Sequence, residues 1–355
     1  MSRYYTAALK LGKALQERED YLTLAIETSC DETAVAVLQG KRILSSSIMS
    51  QIDIHKRFGG VVPEIASRNH IAAIDNIVEC ALAEAGVKAG QINAIAVTYG
   101  AGLLGALIVG VSYAKSLAYA LGIPCYGINH IKGHIFANFG CHDISLPAIA
   151  LIVSGGHTAI AKVNSYNDIE LLGSTRDDAA GEAFDKVARV LGLEYPGGPK
   201  ISILAKEGQN SIKMPRSFKG EEHLNFSFSG IKTSIVNYVH NLEQKGLPIP
   251  KADIACSFQE EVASVLVSNT IKAVQRTNID KVILAGGVGA NELLRLKLKT
   301  ACEEIGATLY MPEKKHCTDN AAMIGVASYY AIKEGMLPSP LTLDATAELK
   351  IDEHN

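Results

Sequence analysis

His130 and His134 stand four residues apart in NHIKGH (129–134), and an acid, Asp319, lies far downstream in HCTDNAAM (316–323). On a helix, residues four apart share a face one turn apart, so both imidazoles can bind the same ion. Two histidines and one carboxylate leave coordination positions open, as in a site that takes substrate. Asp319 also precedes Asn320 and the helical run AAMIGVASYYAI, so on sequence alone it reads equally as a helix N-cap. Zinc-peptidase chemistry needs H-E-x-x-H, with the glutamate as general base. Ile131 occupies that place and Lys132 follows, which counts against a peptidase.

Three glycine-marked turns accompany the histidines: VSGGHT (153–158), YPGGP (195–199) and AGGVGAN (285–291). Glycine lets backbone N–H groups approach an anion closely, so a metal and a phosphate-bearing ligand in one cleft are expected. VSGGHT reads equally as a plain hairpin turn. The corresponding turn of the first half, ETSCDET (27–33), carries three acids, of which Asp31 and Glu32 would handle protons or bind an ion, or simply be solvated. Asp185, in GEAFDKVARVLG (181–192), falls on the polar face of an expected helix, where a solvated acid is the default. His55, Lys56, Arg57, Arg68 and His70 could meet RNA phosphates or form a solvated face.

The elements that must position these residues follow from pattern. Short apolar runs flank a polar turn in 22–38 (LTLAI, AVAVL) and again in 148–163 (IALIV, AIAKV), which predicts two strand–turn–strand units. The segments 92–110 and 279–298 each run from a strand through glycines into a helix. Two matched pairs predict an internal duplication. Helical spacing marks 71–85, 112–121, 181–191, 252–278 and 321–334, and strands alternating with helices mean an α/β fold. The stretch 208–230, with Pro215 and FSFSG, reads as a surface excursion. Duplicated halves opening on such units resemble the plan of the actin-like ATPase and sugar-kinase superfamily, a resemblance that implies two RNase H-like subdomains around a central cleft. The expected division is an N-terminal extension (1–20), subdomain I (21–128 plus about 320–345) and subdomain II (129–319).

With 355 residues the chain exceeds what one core usually supports. A net charge of −3 excludes a strongly basic surface, so RNA would meet a local patch. Seven scattered cysteines without a C-x-x-C pair read as a reduced intracellular protein. The longest uninterrupted apolar run, 101–111, is too short to span a bilayer, so no membrane is expected. Residues 1–20 carry a short helical stripe (Ala7, Ala8, Leu11, Ala14, Leu15) and three acids, which favours a plain extension over a mitochondrial transit peptide.

Together AIETSCDET (25–33), SQIDIHKRFGGVVPEIASR (50–68), NHIKGH, LIVSGGHT (151–158), DDAAGEAFDKVARVLGLEYPGGP (177–199), FSFSGIKT (226–233), GGVGAN (286–291) and CTDNAAMI (317–324) closely resemble the TsaD family, called Kae in archaea and eukaryotes. The likeness runs in order over about 22–335. It implies the actin-like fold and transfer of a threonylcarbamoyl group from threonylcarbamoyl-AMP to N6 of adenosine 37 in tRNAs reading codons that begin with A. It further implies that His130, His134 and Asp319 bind a divalent metal, Fe2+ or Zn2+. Val153, Ser154, Gly155, Gly156, His157, Asp185, Gly198 and Asn291 would hold the adenylate, in a cleft that AMP or ATP can also occupy, and Asp31 and Glu32 match acids important for activity. Bacterial members work in the cytoplasm with TsaB and the ATPase TsaE on the tRNA anticodon loop; mitochondrial members can work alone.

Three departures stand out. Lys132 replaces a frequent glutamate, expected to be a tolerated surface change. Ile152 replaces the ligating tyrosine of archaeal members, which gives the bacterial pattern with a more open metal site. Ser202 replaces an aspartate near the nucleotide ribose. Among rival readings, a kinase or ATPase of the same fold would want a Mg2+ held by oxygens, which two histidines serve badly. A non-catalytic paralogue would lack the histidine–aspartate set.

Overall fold

The computed structural model describes residues 3–218 and 223–352. Its strands form two five-stranded sheets. The first contains β1 (Leu22–Glu27), β2 (Glu32–Gln39), β3 (Arg42–Ser50), β4 (Ala94–Gly100) and β5 (Cys125–Asn129), in the order β3-β2-β1-β4-β5. The second contains β6 (Ala148–Val153), β7 (Thr158–Val163), β8 (Ile169–Ser174), β9 (Lys281–Ala285) and β10 (Thr308–Tyr310), in the order β10-β9-β6-β7-β8. In each half the first strand pairs antiparallel with the second and parallel with the fourth. Both halves therefore repeat one order, as the paired sequence segments led us to expect.

The chain divides into two compact units, one of Met1–Ile144, Ser165–Ile169 and Asp319–Asn355, the other of Ser145–Asn164 and Glu170–Thr318. The divisions fall at 144/145 and 318/319, not at the expected 128/129 and 319/320. Helix His130–Phe136 stays with the first unit because it packs there on helix Ala321–Lys333. Gly133 makes the approach: a Cβ would stand 2.7 Å from Ile324 Cδ1.

In the first unit, Leu24, Ile26, Ile95 and Val97 face a core closed by helices Pro63–Ala85 and Leu104–Leu121. Both helices start earlier than their periodicity indicated. Pro63, at a first-turn position, follows Val62 in extended backbone, which allows the helix to begin there. By length and composition helix Leu104–Leu121 could cross a membrane, with a mean hydropathy of 1.5 over its 18 residues. Its Val111, Ala114 and Ala118 pack into this core.

The N-terminal extension is a helix, Arg3–Gln16, that buries Ala8, Gly12 and Leu15 and leaves Leu11 exposed. Tyr4 Oη donates to Ile123 O at 2.7 Å and Lys333 Nζ to Gln16 O at 3.0 Å, so it is docked on the first unit. Residues 1–2 of that extension lie outside the described residues.

The stretch 208–230 differs from the expected surface excursion. Phe226 and Phe228 are fully buried in the second unit's core, and a helix, Ser229–Gln244, starts immediately after them. Asp177 caps that start, accepting from Phe228 N at 2.8 Å and Ser229 N at 3.2 Å. Residues 219–222 of the stretch lie outside the described residues.

Candidate active site

Helix His130–Phe136 begins at Asn129, whose Oδ1 accepts from Ile131 N at 2.8 Å and Lys132 N at 3.3 Å. All seven of its residues are buried, so both histidines point into protein. Across a gap that no local pattern bridges, Asp319 Oδ1 lies 3.1 Å from His134 Nε2 and 3.5 Å from His130 Nε2. The candidate ligand atoms of the three all lie within 4.8 Å of one another. Asp319 is not the cap of the following helix; Asn320 is, accepting from Met323 N at 3.0 Å.

His134 is 1% exposed, and neither ring nitrogen has a hydrogen-bond partner, although Nε2 lies 3.1 Å from Asp319 Oδ1. A buried imidazole that makes no hydrogen bond, set beside a carboxylate, is costly in protein alone and suits a cation. These donors fit a divalent metal.

Glu27, not singled out from the sequence, orients His130. It is fully buried, its Oε2 lies 3.1 Å from His130 Nδ1, and it accepts from Thr98 Oγ1 and Ser29 N, each at 2.5 Å. Burial alone would lower the His130 pKa, but the Glu27 and Asp319 charges outweigh it and push it up to about 9. Burial would likewise raise the Glu27 carboxyl, and the attraction of His130 instead holds it below the usual range. A carboxylate behind one ring nitrogen fixes which nitrogen faces a metal. The only sequence signal for Glu27 was its place among three acids in one turn.

Asp31 is buried and its Oδ2 has no hydrogen-bond partner. Its neighbour Glu32 accepts from Ser50 Oγ at 3.3 Å; burial first, then the charges of Asp31 and Asp319, push its carboxyl up to about 9. The basic stretch divides. His55 and His70 are fully buried, with His70 held between Thr33 Oγ1 (2.8 Å) and Cys30 O (2.9 Å), so they form no RNA face. Lys56 and Arg68 are in surface ion pairs with Asp53 and Glu64. Lys132 also departs from expectation: it is 3% exposed, donates to Tyr166 O at 3.2 Å, and lies 4.9 Å from the Tyr166 ring centroid.

In the second unit, residues 154–157 join β6 to β7, closed by Ser154 N donating to His157 O at 2.8 Å and His157 N donating to Ser154 Oγ at 3.1 Å. Val153 ends β6, fully buried. Gly155 and Gly156 are exposed, a Cβ on either would meet nothing within 4 Å, and among the described residues no hydrogen bond takes their N–H groups. The fold does not require glycine here, so the open space is available to a ligand. The packing requirement falls on two neighbouring glycines. A Cβ at Gly181 would stand 2.6 Å from Ser154 O, and one at Gly286, with φ +92°, 2.5 Å from Val153 O. These contacts bring the turns 154–157 and 286–291 together.

Asp185 is half-buried and accepts from Gly197 N at 2.7 Å, so it holds the start of helix Gly197–Leu204. Gly198, beside it, has open space where a Cβ would be. Asn291 is fully engaged within the protein: Oδ1 accepts from Leu294 N (3.0 Å), capping helix Glu292–Glu304, and Nδ2 donates to Ser202 Oγ (3.0 Å) and Gln259 Oε1 (2.8 Å). Ser202 thus joins a polar knot with Gln259 and Asn291.

Residues 42–326 match the profile of the TsaD family, described as tRNA N6-adenosine threonylcarbamoyltransferase. Proteins of that name from Clostridium perfringens (strain SM101) and Moorella thermoacetica are each 52% identical to this chain, over 94% and 93% of it and 98% and 97% of their own lengths. Among solved structures the chain resembles full-length HypF in its phosphate- and nucleotide-bound form, with a TM-score of 0.63 and 15% identity over 90% of this chain and 48% of that one. It also resembles the 2-hydroxyisocaproyl-CoA dehydratase activator of Clostridium difficile with bound ADPNP, with a TM-score of 0.52 and 13% identity over 88% of this chain and 96% of that one. These likenesses give the fold, the actin-like ATPase fold.

Proposed function

This chain belongs to the TsaD family of tRNA N6-adenosine threonylcarbamoyltransferases, and we propose that it moves a threonylcarbamoyl group from threonylcarbamoyl-AMP to N6 of adenosine 37 in tRNAs reading codons that begin with A, releasing AMP. The observation that carries the reading is near-full-length identity of 52% to named transferases, with the histidine–aspartate set brought together in space. His130, His134 and Asp319 would hold a divalent ion, Fe2+ or Zn2+. When bound, that ion supplies positive charge that stabilises oxyanion character on the donor carbonyl and offsets the repulsion among Asp31, Glu32 and Asp319.

The protein's own groups divide the rest. Glu27 keeps a proton on His130 Nδ1, so Nε2 is the nitrogen that would give up its proton to a metal. Adenine N6 loses a proton as it attacks, and Asp31 is the acceptor, since its Oδ2 is buried and has no hydrogen bond to give up, while Glu32, its carboxyl raised to about 9, keeps its own proton beside it. Ser154, Gly155 and Gly156 offer N–H groups to the AMP phosphate. Val153 and His157 bound that turn, and Asp185, Gly198 and Asn291 shape the nucleoside side. Because Asn291 is already engaged, its part is to hold Ser202 and Gln259 in place unless that knot opens for the ribose.

The reading extends to TsaB and TsaE as partners, the anticodon loop as the RNA element, and the cytoplasm as location; the support is likeness to the bacterial family pattern. The test is mass spectrometry of nucleosides from tRNA incubated with this chain, TsaB, TsaE and synthetic threonylcarbamoyl-AMP. Absence of the threonylcarbamoyl nucleoside refutes the transfer, and unchanged metal content in His134→Ala refutes the ligand set.

A further inference from the structure

Residues 339–351 run back along the first sheet. Ser339 N donates to Cys125 O at 2.7 Å and Ser339 Oγ accepts from Gly127 N at 3.0 Å, which stitches this tail to β5. Lys115 Nζ donates to Leu343 O (2.7 Å), Thr346 N to Tyr99 O (2.8 Å) and Gly102 N to Ala347 O (3.0 Å). Leu343, Ala345 and Leu349 pack on the first unit's core, and Ile351 is 7% exposed. The fit is close enough that a Cβ on Gly100 would stand 2.5 Å from Thr346 O. After β9, by contrast, a Cβ on Gly287 would meet nothing within 4 Å among the described residues.

The last link is Asn129 Nδ2 donating to Lys350 O at 2.9 Å. The same side chain, 4% exposed, already caps the histidine helix through Oδ1. That helix has seven residues, too few to hold a direction by its own hydrogen bonds, so its placement depends on what anchors it. His130 is its first residue, so any shift of the cap moves a ligand candidate directly.

We propose that Asn129 is a positioning residue through which the tail 339–351 braces the histidine helix, so that metal affinity depends on a segment supplying no ligand. This rests on the reading of His130, His134 and Asp319 as a metal site. The tail fixes the cap, the cap fixes His130, and the ligand atoms are held ready before an ion arrives.

The test uses the full chain, stripped of metal and titrated with Co2+, whose absorption bands report coordination. Asn129→Ser keeps an acceptor for the helix cap and removes the donor to Lys350. Its Co2+ dissociation constant should rise about tenfold, the lower end of what losing an orienting partner costs a metal site, with a changed Co2+ spectrum. Ile351→Asp unseats the tail without touching the helix. It should give a similar loss, and the double variant should be no worse than the single ones, because both break one linkage. Lowered melting temperature with unchanged Co2+ affinity and spectrum in both variants would show the tail to be mere packing and overturn the proposal. Co2+ binding undiminished in His134→Ala would overturn the metal reading instead, so the two failures are told apart.

Discussion

Replacing Lys132 by glutamate, the residue that the family resemblance implies for this place, should destabilise this chain. Lys132 is 3% exposed, and its ammonium donates to Tyr166 O and lies over the Tyr166 ring. Lys132→Glu removes that hydrogen bond, about 1 kcal/mol, and the cation–π contact, about 1 kcal/mol. It also leaves a buried carboxylate facing a carbonyl oxygen, with the charges of Glu334 and Asp352 felt at this position. An uncompensated buried charge costs about 3–5 kcal/mol, and a carboxyl can lower that by taking up a proton, so a total of about 4 kcal/mol is expected at pH 7. Lys132→Met keeps the stem and loses only the polar contacts, for about 2 kcal/mol. The assay is urea unfolding of the metal-free chain followed by circular dichroism. Because a buried carboxyl has a raised folded pKa, the penalty of the glutamate variant should shrink as pH falls toward 4 and grow as it rises. A glutamate variant within about 1 kcal/mol of the unsubstituted chain, or more stable than the methionine variant, would refute the reasoning.

Gly155→Val should keep the circular dichroism spectrum, since its Cβ meets no protein atom within 4 Å, and weaken AMP binding by calorimetry at least about tenfold, or 1.4 kcal/mol; unchanged affinity places the phosphate elsewhere. Reversing Lys56, Arg57 and Arg68 to glutamate should abolish measurable tRNA binding at near-physiological salt and leave AMP binding alone, the two surface pairs with Asp53 and Glu64 being too weak to withhold these cations from phosphate; tRNA affinity that survives assigns the RNA surface to another patch. Asp177→Ala should cost about 1 kcal/mol by loss of the cap on helix Ser229–Gln244. Burial opposes ionisation of Asp177, but its serine and backbone donors hold the carboxyl below the usual range, so the stabilisation is present above the ordinary carboxylate pKa and disappears as pH falls through the depressed one; equal losses at pH 3 and pH 7 in urea titrations would contradict this.

The duplication was legible because it is written in local pattern: short apolar runs around a turn, then a strand leading through glycines into a helix, each twice. The histidine pair was legible as a pair. Asp319 was offered as their third ligand but read equally as a cap, because nothing local separates the two, and the structure gives the cap to Asn320. Burial was the least legible quantity. Periodicity assigns faces on the assumption that one side of a helix meets water, and His130–Phe136 has no such side, so Lys132 read as a surface residue. His55 and His70 looked like part of a basic face for the same reason, their hydrogen-bond partners being far away in sequence or hidden in a turn. Glu27 was invisible as an orienting group because its role depends on β1, β4 and the histidine helix meeting, a contact among distant segments.

The interleaving of the two units has a consequence for how the chain is made. The whole second unit lies within one stretch, 145–318, interrupted only by Ser165–Ile169 of the first, whereas the first needs residues on both sides of that stretch. During synthesis, which releases the chain from its N-terminus, the second unit can fold while the first still lacks helix Ala321–Lys333 and the tail. Asp319 is the first residue made after that stretch, and the brace at Lys350 follows later still. Until then the two histidines have neither their carboxylate nor their anchored helix. On the metal reading, a nascent chain therefore presents an incomplete ligand set until residues through Lys350 have been made.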